Sequence, residues 1–172
     1  MATAIRRLIS GHASIAGDES DRPQIRKGRN MAPQLVSLAP GLSVTGRLDR
    51  PDIEALARSG VRTIVNNRPD GEDQGQLPAA EARRTAEAHG LAYHHIPITA
   101  ATLSRADVDA FAAILRDAPA PVLAHCRSGT RSTLLWALSR MREGADPFAL
   151  VAEAGRHGID IASLPAIAAR LR

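Results

Sequence analysis

The one cysteine of this chain, Cys126, opens the run His125-Cys126-Arg127-Ser128-Gly129-Thr130-Arg131-Ser132. The residues before it, Val122 to Ala124, read as an apolar strand, and those after it change to helical spacing. A strand ending in Cys, then a Gly-containing loop, then a helix start aims backbone N–H groups and the positive helix end at one point. An anion is stabilised there, whether it is the sulfur itself or the oxyanion of a bound molecule. Arg131 adds a permanent charge with a planar fork of donors suited to a phosphate or sulfonate face. Such surroundings hold a thiol as the thiolate, the form that attacks. The plainer reading is an inert, buried cysteine. It does not explain two arginines, a glycine and three hydroxyls in the next six positions.

Roles follow from these positions. Cys126 would carry the transferred group and Arg131 would hold its oxyanion part. Ser132 could donate a hydrogen bond to the thiolate, or cap the following helix. Arg127, Ser128, Gly129 and Thr130 would touch the substrate, with Gly129 allowing close approach of the backbone; Arg127 would select anions at the mouth, although a merely exposed arginine is an equal reading. His125 would support the loop from beneath. Asn67 and Arg68, at the end of a neighbouring strand, could line the pocket, although turn bonding is an equal reading. Asp70 also follows a strand and is the candidate general acid; its plainer role is in a Pro-Asp-Gly turn. No metal or cofactor is expected: adjacent His94 and His95 would point to opposite faces of a strand and cannot easily chelate one ion.

The elements that must position these residues alternate between strand and helix. Leu42–Thr45 reads as a strand closed by Gly46, and Pro51 opens a helix through Ile53, Leu56 and Ala57. Residues 61–66 form a β-branched strand, 78–89 a helix ending at Gly90, and 91–98 a strand. Ser104 with Asp107 has the form of a capping box ahead of Val108, Phe111, Ala112 and Leu115. Pro119 and Pro121 introduce the strand at 122–125, whose short apolar character fits burial on both faces. Leu134, Leu135, Leu138 and Met141 mark one helix, Asp146-Pro147 starts another, and Ile161, Leu164, Ile167 and Leu171 mark a last one. The class is α/β, with a mostly parallel central sheet flanked by helices. Cys126 then lies beyond the carboxyl ends of the strands, where such sheets bind ligands.

Composition limits the alternatives. The 172 residues suffice for one domain. The division expected is a basic leader over 1–33 and one domain over 34–172. Residues 1–30 hold six basic and three acidic side chains, a net +3 of the whole chain's +4. The remainder is balanced, so a nucleic-acid partner is not expected. No apolar run reaches membrane-span length and no signal-peptide pattern occurs, which predicts a cytoplasmic protein without a membrane partner. A lone cysteine forms no intramolecular disulfide.

The loop resembles two families of thiol enzymes. His-Cys, a glycine loop and Arg-Ser at a helix start is similar to the cysteine phosphatases, whose dual-specificity members place five residues between Cys and Arg. Here there are four, the spacing of rhodanese-type sulfurtransferases. The shorter cradle suits a terminal persulfide sulfur better than a phosphoryl group. In the phosphatases a separate loop supplies an Asp to protonate the leaving alcohol, whereas residues 94–101 here contain no acid. From about Leu35 to Arg142 the chain resembles the phosphatase-like domain of beta-lactamase hydrolase-like proteins. The resemblance is carried by Leu42-Ser43-Val44-Thr45-Gly46, by the segment from Val65 to Glu72, by His95-Ile96-Pro97-Ile98 and by Cys126 to Ser132. It implies a cysteine-phosphatase-like fold and an enzyme that is either hydrolase-like or a sulfurtransferase accompanying persulfide-oxidising enzymes. The expectation is sulfane-sulfur transfer from a small anionic donor, thiosulfate or a low-molecular-weight persulfide, through a Cys126 persulfide to a thiol acceptor. Phosphoester hydrolysis through a phosphocysteine is the alternative.

Overall fold

A computed structural model describes residues 33–171; the basic leader lies outside them, apart from residue 33. Among these residues five strands form one sheet: β1 (Val36–Ala39), β2 (Leu42–Thr45), β3 (Thr63–Asn66), β4 (Ala92–His95) and β5 (Val122–His125). Their order across the sheet is β1-β2-β5-β3-β4. All neighbours are parallel except β1 with β2, which form an antiparallel pair at the edge. This edge hairpin was not foreseen.

Among the described residues six helices flank the sheet: α1 (Arg50–Arg58), α2 (Ala79–Ala88), α3 (Arg105–Asp117), α4 (Thr130–Arg142), α5 (Pro147–Arg156) and α6 (Leu164–Arg170). Because side chains alternate along a strand, successive residues of β3 and β5 enter two different cores. Ile64 and Leu123 pack with Ile53, Leu56, Ala82 and Ala86 of α1 and α2. Val65 and Ala124 pack with Phe111, Leu135, Leu138 and Leu164 on the opposite side. Every residue of β5 is buried, as its uninterrupted apolar run requires.

The helix starts obey local rules. Asp49 and Asp52 close a capping box on α1, and Ser104 and Asp107 close the expected one on α3; each cap contributes about 1 kcal/mol. Asp146 accepts from the Ala149 N–H ahead of α5. Helix α4 departs from expectation. It is buried continuously from Ser132 to Ser139, because α3, α5 and α6 all pack around it. A one-sided apolar stripe therefore understates it. Strand β4 is also shorter than the apolar pattern suggested.

Register brings the cysteine loop into place. Thr45, His125, Asn66 and His95 are paired across β2, β5, β3 and β4 and end their strands in one row. The next residue of the central strand is Cys126.

Candidate active site

The loop from Cys126 to Gly129 folds back so that the Gly129 N–H donates to Cys126 Sγ at 3.1 Å. Cys126 N donates to Thr45 O at 3.4 Å. Gly129 has φ of +94° and is the N-cap of α4, a left-handed conformation that disfavours any Cβ. Its carbonyl is held by both the Thr133 N–H and the Thr133 hydroxyl at 3.0 Å. On the other side Gly46 approaches so closely that a Cβ there would stand 3.3 Å from Arg127 O. The residue Cys126 is 1% exposed, at the floor of a loop whose upper residues Arg127 and Ser128 are exposed. Ser128 and Thr130 share a hydroxyl contact at 3.2 Å.

Both loop arginines are tied to the segment between β3 and α2. Arg131 Nη2 meets Glu72 Oε1 at 2.6 Å, and Arg131 Nη1 donates to Ile98 O at 2.8 Å. Glu72 Oε2 accepts from Arg68 Nε at 2.8 Å, and Arg68 Nη2 donates to Asp73 Oδ2 at 2.6 Å. Asp73 Oδ1 lies 3.5 Å from Arg127 Nη2. The charges thus alternate along Arg131, Glu72, Arg68, Asp73 and Arg127. Three cations against two carboxylates leave the array net positive. A guanidinium has five N–H donors, and the two contacts named for Arg131 engage both of its terminal nitrogens. Burial alone would raise the pKa of Glu72, but hydrogen bonds and charge from Arg131 and Arg68 outweigh it and hold the carboxylate below its ordinary range.

This arrangement gives several of the expected site residues partners within the protein. Asn67 is fully buried: its N–H donates to His125 O at 2.8 Å and its Nδ2 to Ile96 O at 3.2 Å. Its Oδ1 accepts from Ser132 Oγ at 2.8 Å. The Ser132 proton therefore goes to Asn67 and not to the thiolate, tying the start of α4 to the end of β3. Arg68 is 3% exposed and paired with Glu72 and Asp73, so both Asn67 and Arg68 brace the loop. Asp70 Oδ1 accepts from the Ala79 N–H at 2.8 Å. It closes the start of α2, where Pro78 offers no side-chain cap, which is the turn role also expected for it.

His125 ends β5 directly before the loop and is buried. Burial first, then the charge of Arg68 and the neighbouring His95, push its pKa down to about 3, so the ring is neutral at pH 7. His95 Nε2 is held by Arg68 O at 2.7 Å. The sequence reading missed Glu72 and Asp73 as partners of the loop arginines. Their one visible signal was the i,i+4 spacing of Arg68 and Glu72, since Arg131 and Arg127 lie far away in sequence.

Residues 34–143 match the family model described as "Beta-lactamase hydrolase-like protein, phosphatase-like domain". A beta-lactamase hydrolase-like protein of Agrobacterium fabrum is 34% identical over 121 residues, which is 70% of this chain and 28% of that relative's length. The chain thus spans under a third of that relative. A crystal structure of a phosphatase-like protein from Neisseria meningitidis superposes with a TM-score of 0.69 at 33% identity, covering 76% of this chain and 94% of that one. Kinase associated phosphatase, studied with its catalytic-site cysteine replaced by serine, shares the fold at a TM-score of 0.64 and 18% identity, over 77% of this chain and 89% of that one.

Proposed function

Since the chain belongs to the family of phosphatase-like domains found in beta-lactamase hydrolase-like proteins, we propose that it is a thiol enzyme of the cysteine-phosphatase type with Cys126 as its nucleophile. The finer reading is sulfane-sulfur transfer. The observation that carries it is the commitment of every acid in the loop after β3: Asp70 to Ala79 N, Glu72 to Arg131 and Arg68, and Asp73 to Arg68 and Arg127. An alkoxide leaving group needs a proton from a general acid; sulfite and low-pKa thiolates leave without one.

In this scheme the Cys126 thiolate, steadied by the Gly129 N–H, attacks the outer sulfur of thiosulfate or of a persulfide. The new S–S bond forms as the old one breaks, and sulfite or a thiolate leaves with the electron pair. Arg131 holds the oxyanion part, and Arg127 collects anions at the rim. An acceptor thiolate then takes the outer sulfur from Cys126 and restores the enzyme. No net oxidant is required. The donor, the acceptor and any persulfide-oxidising companion belong to this proposal.

Phosphoester hydrolysis is the second reading, and the comparisons back it better than sulfur transfer, because both the family description and the solved neighbours are phosphatase-like. Side-by-side assays separate the two. Sulfur transfer predicts cyanide- or thiol-dependent turnover of thiosulfate or glutathione persulfide that vanishes in Cys126→Ser. Cys126-dependent phosphate release from an aryl phosphate, without sulfur turnover, would establish the phosphatase instead.

A further inference from the structure

The β3–α2 segment and the strand that leads to Cys126 meet across a small cavity that the scheme above does not use. Its walls include Leu48, Ile53, Asn66, Arg68, Gln76 and His125, and the space open to the centre of a water-sized sphere is about 10 Å³. That is about the least that holds one water. Two buried polar atoms of this wall, Gln76 Oε1 and His125 Nδ1, have no hydrogen-bond partner among the described residues. Buried polar groups are nearly always satisfied, so a pair of orphans on one cavity points to a shared ligand of water size.

The chemistry of the two atoms is complementary to a water. Gln76 Nε2 donates to Pro69 O at 2.8 Å; rotating the amide would set two oxygens against each other, so Oε1 is fixed as the end in need of a donor. The His125 ring is neutral and therefore has one donor and one acceptor nitrogen. A water can donate one O–H to Gln76 Oε1. It completes the bridge by donating its second O–H to Nδ1 or by accepting an N–H from it.

We propose that one ordered water links Gln76 Oε1 to His125 Nδ1, and that Gln76 is thereby a positioning residue for the nucleophile. The bridge joins the segment carrying Glu72 and Asp73, which hold Arg131 and Arg127, to the strand end from which Cys126 follows. It holds whether sulfur or phosphoryl is transferred.

Crystals of the wild-type protein that diffract well enough to place waters test this directly. Density within hydrogen-bond distance of both atoms is expected, and an empty cavity overturns the proposal. In Gln76→Leu the water should be lost and the His125 ring-nitrogen NMR signal should move. Alkylation of Cys126 by iodoacetamide at pH 7 should slow by about fivefold, the factor equivalent to one net hydrogen bond. A folded variant with ring signal and alkylation rate unchanged overturns the positioning role. If the variant does not fold, water-to-ring cross-relaxation in the wild type decides the question alone.

Discussion

Acid should loosen this fold through one ring. His125 has an ordinary pKa of 6.5 but is pushed down to about 3 in the folded chain, by burial, by Arg68 and by His95. The unfolded chain therefore binds the proton first, and stability must fall as pH drops. The loss begins as pH passes below 6.5 and is complete only below about 3. At pH 5 the unfolded ring is almost wholly protonated and the folded ring almost wholly neutral. The difference costs about 2 kcal/mol relative to pH 7, rising to about 5 kcal/mol at the acid limit. Urea titrations at pH 7, 6 and 5, followed by the fluorescence of the single Trp136, measure it. His125→Gln lacks the titrating ring, so it should lose about 2 kcal/mol less than the wild type over that range. His94 is also held low, by burial and then Arg83, but it is common to both proteins and cancels. Glu72, held below its ordinary value, contributes stability that is lost only below about pH 4.5. Parallel pH dependence in the two proteins, or a His125 ring that titrates near 6.5 by NMR, would refute the reasoning.

Other outcomes follow from the same contacts. Glu72→Gln weakens the 2.6 Å hold on Arg131, and should raise KM for an anionic substrate by about tenfold, equivalent to one charge-assisted bond, as steady-state kinetics would show. Ser132→Ala leaves the fully buried Asn67 Oδ1 without its donor, which should cost about 1–3 kcal/mol in denaturant unfolding. Asp70→Ala removes the bond to Ala79 N and should lower stability by about 1 kcal/mol with turnover retained. A hundredfold loss of turnover in that variant would make Asp70 the general acid after all.

The parts of the fold that were legible in the sequence are those written in local chemistry. The Ser104/Asp107 capping box, the Pro147 helix start and the apolar run of β5 each follow from neighbours within a few residues. The position of Cys126 beyond the sheet follows from strand-helix alternation. Strand β1 was hidden because Val36–Ala39 is short and gains its identity only from pairing with β2. Asn67 and Arg68 misled for a related reason. Polar residues after a strand resemble an exposed turn, and only the tertiary partners Ser132, Ile96, Glu72 and Asp73 make their burial favourable. Ser132 shows the limit clearly: its spacing from Cys126 allowed a bond to the sulfur, but a carboxamide 65 residues away takes the proton.

The chemistry itself comes down to what Cys126 accepts. Intact-mass spectrometry after brief incubation with thiosulfate or glutathione persulfide, beside Cys126→Ser, tests it most directly. One added sulfur on the wild type, absent from the variant and removed by a thiol acceptor, is the predicted result. An unmodified Cys126 under donor excess, together with Cys126-dependent phosphate release from an aryl phosphate, would contradict it.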